Sequence, residues 1–380
     1  MELLINTASL YQGGALQVAL SFIQECKRHP ENNYHVIVGP SLQRKINPEC
    51  YPNNFSFYSI PYRPSQRVLS FKSAVSYFVE LENNIKPNVV FTTSGPAYWK
   101  PKAPHLVGYN LPHYIYPDSP YFIKISFLNR LKWKMKGQFL KYCFLREADA
   151  FVVQTEDVKK RLRSWFKTKK SINVVTNTCS INYWKSVNKN LNLPIKSNNE
   201  FRLLLFSAYY EHKNFEIISE IIKIMSESQK NSIRFVLTLE KSKYEKLFSE
   251  EIRKHVINVG TISPEDGPAL YEECDALFLP STLECFSASY PEAMAMGKPI
   301  ITSDLGFAHA ICLNSALYFN PTEPVSALKK IEELINDYNL RQKLVLSGKS
   351  RVKMFLSPEE RAREYLNLCS HLIKTSMRGE

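Results

Sequence analysis

Two carboxylates, Glu284 and Glu292, with seven residues between them, carry the strongest chemical signal in the chain. Glu284 falls in a loop after the apolar run Ala276–Leu279, which Pro280-Ser281-Thr282 closes as a buried strand would be closed. Glu292 falls in the first turn of a helix expected from about Pro291 and ended by Gly297, since proline there loses only an N–H that would be unpaired. In an open parallel α/β sheet, ligands bind outside the carboxyl ends of strands, and a helix start there favours phosphate. Ser287, Ala288 and Ser289 are small enough to let the backbone approach a diphosphate. Glu292 then suits the two hydroxyls of a ribose and Glu284 those of a hexose. The same glutamates also suit plain helix capping, worth about 0.3–1 kcal/mol each.

Three further places carry residues of the right type. Gly13-Gly14 follows an apolar strand, Glu2–Asn6, and precedes a helix over Leu16–Cys26, so its amides could meet an anion. The pattern is not G-x-G-x-x-G, and a tight turn explains it as well. Lys213 follows the strand Phe201–Phe206 and the loop opening at Ser207, and precedes a helix expected from Phe215, a position that would neutralise a diphosphate leaving group. An exposed lysine without a role is the plainer reading. His113 follows a strand opening at His105 and expected to end just before the histidine; its imidazole, with an ordinary pKa of about 6.5, could bond a sugar hydroxyl or steady positive charge.

The segment E-C-F-S-A-S-Y-P-E-A-M-A-M-G-K-P-I-I resembles the E-x7-E segment of the retaining family-4 glycosyltransferases, of the type that builds bacterial cell-surface polysaccharide and O-antigen. The resemblance implies that Glu284 faces the donor sugar, Glu292 binds the ribose, and the amides of Phe286, Ser287 and Ala288 meet the diphosphate. It also implies that NTASLYQGGALQVA places Gly13 and Gly14 at the donor diphosphate and acceptor, and that His113 stands at the corresponding edge. Lys213 matches the family's lysine, whereas the arginine expected five residues earlier is Ala208, and two usual glycines are Cys285 and Ser287. Ser207, His212 or a basic residue from the other domain would then replace the arginine. The implied catalytic set is His113, Glu284 and Lys213. The implied donor-binding set is Gly13, Gly14, Ser207, Lys213, Glu284, Phe286, Ser287, Ala288 and Glu292. The implied reaction is retaining transfer of a sugar, a hexosyl transfer, from a nucleoside-diphosphate sugar to a hydroxyl of a lipid-linked or polysaccharide acceptor. No D-x-D motif occurs, so neither a metal nor any cofactor beyond the donor substrate is expected.

The elements that must hold these residues alternate strand and helix along 380 residues, which predicts α/β architecture with mainly parallel sheets. The resemblance implies the GT-B fold, two Rossmann-like domains facing across a cleft. The expected division is an acceptor-binding domain over 1–180, a polar linker over 181–200, a donor-binding domain over 201–355, and a terminal helix over 356–380 that returns to the first domain. Eight scattered cysteines without a C-x2-C pair read as reduced thiols of a cytoplasmic protein. The start lacks a basic n-region, so no secretory signal is expected, and no apolar run approaches a bilayer span.

The net charge of +13 is unevenly placed. Residues 1–199 hold 27 Lys and Arg against 11 Asp and Glu, or +16, and the remainder holds 22 against 25, or -3. Between Pro120 and Arg146, basic residues including Lys124, Arg130, Lys132, Lys134 and Lys136 alternate with Trp133 and other apolar residues, and no acid interrupts them. This composition fits either an ordinary core helix with a solvated face or a surface lying on anionic lipid, the inner face of the plasma membrane. Nucleic acid is not expected as a partner, because no recognised binding motif accompanies the charge. Two rival functions remain: a nucleotide-sugar 2-epimerase of the same fold, and a basic membrane- or nucleic-acid-binding protein without catalysis.

Overall fold

The structure is a computed structural model, and its described residues are 1–11, 13–64, 68–185, 191 and 193–377, with the side chains of 68–71 outside the description. The proposed linker residues 186–190 and Asn192, Gln12 of the glycine loop, and residues 378–380 of the expected terminal helix lie outside it. The chain forms two compact units. The first takes Met1–Pro117, Ser126–Asn177 and Leu356–Glu380; the second takes Asp118–Ile125 and Thr178–Phe355.

The first unit holds a seven-stranded parallel sheet of β1 (Glu2–Asn6), β2 (Asn33–Val38), β3 (Phe55–Ser59), β4 (Val89–Thr92), β5 (His105–Gly108), β6 (Ala150–Val153) and β7 (Ser171–Val174), in the order β3-β2-β1-β4-β5-β6-β7. Its central strands read as unbroken apolar runs because helices cover both faces. Leu3 and Ile5 face a cluster with Phe22 and Tyr365, whereas Leu4 faces Ala74, Phe78 and Trp99 on the other side. Helix α1 (Gly14–Glu25) follows β1, and helix α2 (Phe127–Glu147) precedes β6.

The second unit holds β8 (Phe201–Leu205), β9 (Ile233–Leu237), β10 (Val256–Asn258), β11 (Ala276–Leu279), β12 (Ile300–Ser303) and β13 (Ala316–Phe319), all parallel, in the order β10-β9-β8-β11-β12-β13. Helix α3 (Gly267–Glu272) leads into β11, and α4 (Ser289–Ala295) follows it. In both sheets the order reverses beside the first strand, between β1 and β4 and between β8 and β11, which creates the switch points where such sheets bind ligands.

The terminal helix α5 (Pro358–Ser376) opens on a capping box between Ser357 and Glu360 and packs on the first sheet. The Tyr365 ring meets Phe22 and Phe91 at 5.4 and 5.1 Å, and the buried Arg361 donates to Ser21 Oγ at 2.8 Å. Three local readings differ from the sequence expectation. The basic stretch breaks at Ile125-Ser126, and its first part, Asp118–Ile125, packs with the second unit. β5 ends at Gly108, so His113 lies on a separate 3-10 turn, Pro112–Tyr114; Pro112 cannot donate to a ladder, which favours a turn over a longer strand. Residues 306–309, which read as a turn at Gly306 in the sequence, instead open a helix, Gly306–Cys312.

Candidate functional site

Two loops leave the second sheet at its switch point, 206–216 after β8 and 280–288 after β11, and their backbones are tied together. Thr282 donates through its N–H and its hydroxyl to the carbonyl of His212, at 2.7 and 3.1 Å. Across this tie the ammonium of Lys213 donates to Oε1 of Glu284 in a buried ion pair, both residues being 8% exposed. The sequence expectation set Lys213 just before a helix. It instead ends a 3-10 turn, Glu211–Lys213, and Asn214 takes a left-handed conformation with φ 56° before the helix Ile217–Ile224 begins. That turn directs the lysine towards Glu284, at the carboxyl end of the strands. Burial pulls the His212 imidazole below its ordinary value. Ser207 lies in the first loop, with its hydroxyl donating to Ala208 O at 2.9 Å.

The segment Asp118–Ile125 buttresses both loops from outside. Ser119 Oγ donates to Thr282 O at 2.6 Å, Tyr121 OH to Glu211 at 3.3 Å, and Lys124 Nζ to Asn214 Oδ1 at 2.6 Å. Lys124, assigned from sequence to a membrane or acceptor surface, is therefore engaged inside the second unit, because the break after it separates it from α2. Nothing in the sequence marks Ser119 for this role.

Glu292 sits on α4, which starts two residues before the expected Pro291 because Ser289 and Tyr290 already take the helical turn. The preceding segment Phe286–Ala288 runs into this helix, with Ser287 buried and Ala288 exposed. Ser289 Oγ donates to Phe206 O at 3.2 Å, which fixes the helix start to the end of β8. Burial pushes the Glu292 carboxyl up to about 7, against the opposing hydroxyls of Tyr271 and Tyr183 and the charge of Lys213. Tyr271 OH lies 3.4 Å from Glu292 Oε2. The hydroxyls of Ser281 and Ser303, wholly buried at the ends of β11 and β12, have no partner among the described residues.

At the carboxyl end of the first sheet, Gly13 caps α1 with φ 75° and ψ -158°, a conformation essentially restricted to glycine. A side chain at Gly14 would meet nothing within 4 Å among the described residues, so packing does not require glycine there. The His113 ring stacks on Trp133 with centroids 4.4 Å apart and planes 3° apart. Trp133, assigned from sequence to the membrane surface, is thus held against His113, half-buried, with Lys136 over its other neighbourhood at 5.4 Å. Gly13, Gly14 and His113 lie in the first unit; Lys213, Glu284, Phe286, Ser287, Ala288 and Glu292 lie together in the second.

Helix α2 turns Leu140, Cys143 and Phe144 inward, yet Leu128, Leu131, Met135, Phe139 and Tyr142 stay exposed, from 46% to 68%. At about 100° per residue these five share an arc of roughly 80°. Arg130, Lys132, Lys134 and Lys136 flank it and are exposed. A second feature lies far from any of this chemistry: a cavity of ≈ 310 Å³ lined by Asp149, Ser171, Asn173, His371 and Thr375, at the amino-terminal ends of β6 and β7. Among the described residues no helix is long and apolar enough to cross a membrane, and all eight cysteines are free thiols.

Residues 190–351 match the protein family described as "Glycosyl transferases group 1". The O-antigen chain mannosyltransferase RfbU of Salmonella typhimurium is 30% identical over 173 residues, 43% of this chain and 47% of that protein. The chain thus spans about half the length of this curated relative. Sucrose-phosphate synthase from Thermosynechococcus elongatus superposes with a TM-score of 0.75 at 16% identity, over 98% of this chain and 99% of that one. Anabaena HepE, solved in complex with UDP and glucose, superposes with a TM-score of 0.68 at 14% identity, over 98% of this chain and 100% of that one. The chain therefore has the GT-B fold, and it is within the second unit that it is similar to the glycosyl transferases group 1 family.

Proposed function

We propose that the protein is a retaining glycosyltransferase that moves a sugar from a nucleoside-diphosphate donor to a hydroxyl of a lipid-linked or polysaccharide acceptor in cell-surface glycan synthesis. The observation that carries this reading is the buried Lys213–Glu284 pair at the carboxyl ends of β8 and β11, next to Glu292. A buried pair of this kind is costly to desolvate and adds little stability, so its presence at a switch point argues for chemistry. In the resting protein Glu284 neutralises Lys213. An arriving diphosphate competes for the ammonium and releases Glu284 to accept hydroxyls of the donor sugar. As the sugar–phosphate bond breaks, Lys213 and the amides of Phe286, Ser287 and Ala288 stabilise the charge that grows on the diphosphate. Glu292 accepts the ribose hydroxyls, and no divalent metal is needed for this balance. A donor phosphate oxygen takes the acceptor proton on the same face, so configuration is retained and no enzymatic base is required. In this reading Gly13 and Gly14, the latter a glycine that packing does not explain, meet the donor diphosphate and acceptor, and His113 bonds a sugar hydroxyl or steadies positive charge at the reacting carbon.

The activity named for the Salmonella relative supports an O-antigen acceptor, and UDP in the HepE structure supports a nucleoside-diphosphate donor. Acceptors of this class are anchored in a membrane. The exposed stripe of α2 with its flanking Arg130, Lys132, Lys134 and Lys136 supports peripheral docking on anionic lipid at the inner face of the plasma membrane. The test is a panel of UDP- and GDP-sugars with a lipid-linked oligosaccharide acceptor, read by proton NMR of the new anomeric centre. Transfer with retained configuration is the expected result. A changed sugar with donor alone would mean an epimerase, and absence of turnover with every donor would mean a binding protein.

A further inference from the structure

Two tyrosines from different parts of the second unit lie beside Glu292. Tyr271, wholly buried on α3, places its hydroxyl 3.1 Å from Ser289 O and 3.4 Å from Glu292 Oε2. Tyr183, on the 3-10 turn Ile181–Trp184 just after the chain enters the unit, is also buried, and burial followed by the charge of the nearby Glu292 carboxyl pushes its phenol up. The two rings meet edge to face at 5.8 Å. Tyr183 is seated with unusual closeness: a Cβ at Gly267 would lie 2.1 Å from its hydroxyl oxygen. No real Cβ sits at that distance, so glycine at 267 is a condition of the tyrosine's placement. The Cys179 thiol of the same segment is pushed up to about 11, by burial first and then by the charge of Glu292.

We propose that Tyr183 and Tyr271 are positioning residues that present the Glu292 carboxylate to the vicinal hydroxyls of a nucleoside-diphosphate ribose, and that Gly267 makes room for one of them. This rests on the reading of Glu292 as the ribose ligand. The Tyr271 O–H, shared between Ser289 O and one lone pair of the carboxyl, fixes the plane of Glu292, and Tyr183, packed edge to face on the Tyr271 ring beside the same carboxyl, holds that arrangement, which leaves the remaining lone pairs for two ribose O–H donors. The tyrosines themselves touch no substrate. Because Tyr183 belongs to the crossover segment, that segment becomes part of the donor site rather than a passive connection.

The experiment measures dissociation constants of UDP and GDP, and of their 2′,3′-dideoxy forms, by calorimetry on the full chain. The proteins are wild type, Tyr183→Phe, Tyr271→Phe, Gly267→Ala and Glu292→Gln. Loss of a hydrogen bond to a charged group predicts weakening of about 3- to 10-fold for the ribonucleotide that wild type binds better. Against its dideoxy form the same tyrosine variants should differ from wild type by less than about twofold, since the hydroxyls they serve are gone. Equal weakening of both nucleotides, or weakening of neither, in both tyrosine variants would overturn the inference. Gly267→Ala should reproduce the Tyr183→Phe pattern, and thermal unfolding midpoints confirm folding. If Glu292→Gln itself fails to discriminate the two nucleotides, the ribose reading falls; if it discriminates and the tyrosine variants do not, only the positioning role falls.

Discussion

The two sheets share a topology and differ in what they place at the same end. Both run three strands outward on one side of a switch point and the rest on the other, and both send loops from the carboxyl ends beside it. In the second unit those loops carry a buried Lys–Glu pair and a second glutamate lifted to about 7. In the first unit they carry Gly13 in a glycine-only conformation and His113 stacked on Trp133. The first half of the sequence holds the whole positive excess, but much of that charge is displayed on helix surfaces such as α2. Under the proposed function, the exposed charge marks a docking surface, whereas charge taken out of water at a strand end marks chemistry.

Substitutions in the second unit should have the largest effects. Lys213→Ala is expected to lower kcat by about 10²- to 10³-fold, the usual cost of losing a group that stabilises developing charge, measured as sugar transfer under saturating donor. Glu284→Gln should also abolish most transfer, yet it should tighten binding of the nucleoside diphosphate, because Lys213 is then no longer neutralised in the resting state. Calorimetry separates the two variants, and a Glu284→Gln protein that binds diphosphate more weakly than wild type would contradict the exchange of partners.

On the first unit, Leu131→Ser with Phe139→Ser, or Lys132, Lys134 and Lys136 each changed to Glu, should reduce co-sedimentation with anionic vesicles by at least about tenfold. Nucleotide binding should remain unchanged in the same proteins. A smaller effect concerns pH. Burial raises the folded value of Glu292 above its ordinary carboxyl range, to about 7, so its contribution to stability is full below the unfolded value and is lost as pH rises through about 7. The unfolding midpoint of wild type should therefore fall relative to that of Glu292→Gln between about pH 5.5 and 8. Removal of divalent ions with EDTA is expected to change the rate by less than about twofold, since Lys213 and backbone amides supply the positive charge.

The alternation of apolar runs and turn residues made nearly every strand legible, because strands buried on both faces leave an unmistakable signature, as in Leu3–Ile5 and Ala276–Leu279. Glu284 and Glu292 were legible through spacing and the small residues between them. Lys213 was readable as a residue but not as a partner of Glu284, since their pairing depends on the left-handed turn at Asn214, which no local propensity forces. The tyrosines around Glu292 were invisible: Tyr271 lies in an apolar helix like any core residue, and Tyr183 in a polar connection, so only packing over Gly267 joins them. The basic stretch from Pro120 was read as one helix, and its break at Ser126, which caps α2 through its hydroxyl, divides it between two units.

The most direct test of the central claim is a crystal structure of the protein with the nucleoside diphosphate it binds best. The account predicts the diphosphate on Lys213 and the amides of 286–288, the ribose hydroxyls on Glu292, and Glu284 parted from Lys213. A diphosphate bound elsewhere, with the Lys213–Glu284 pair intact and Glu292 untouched by the sugar, would contradict it.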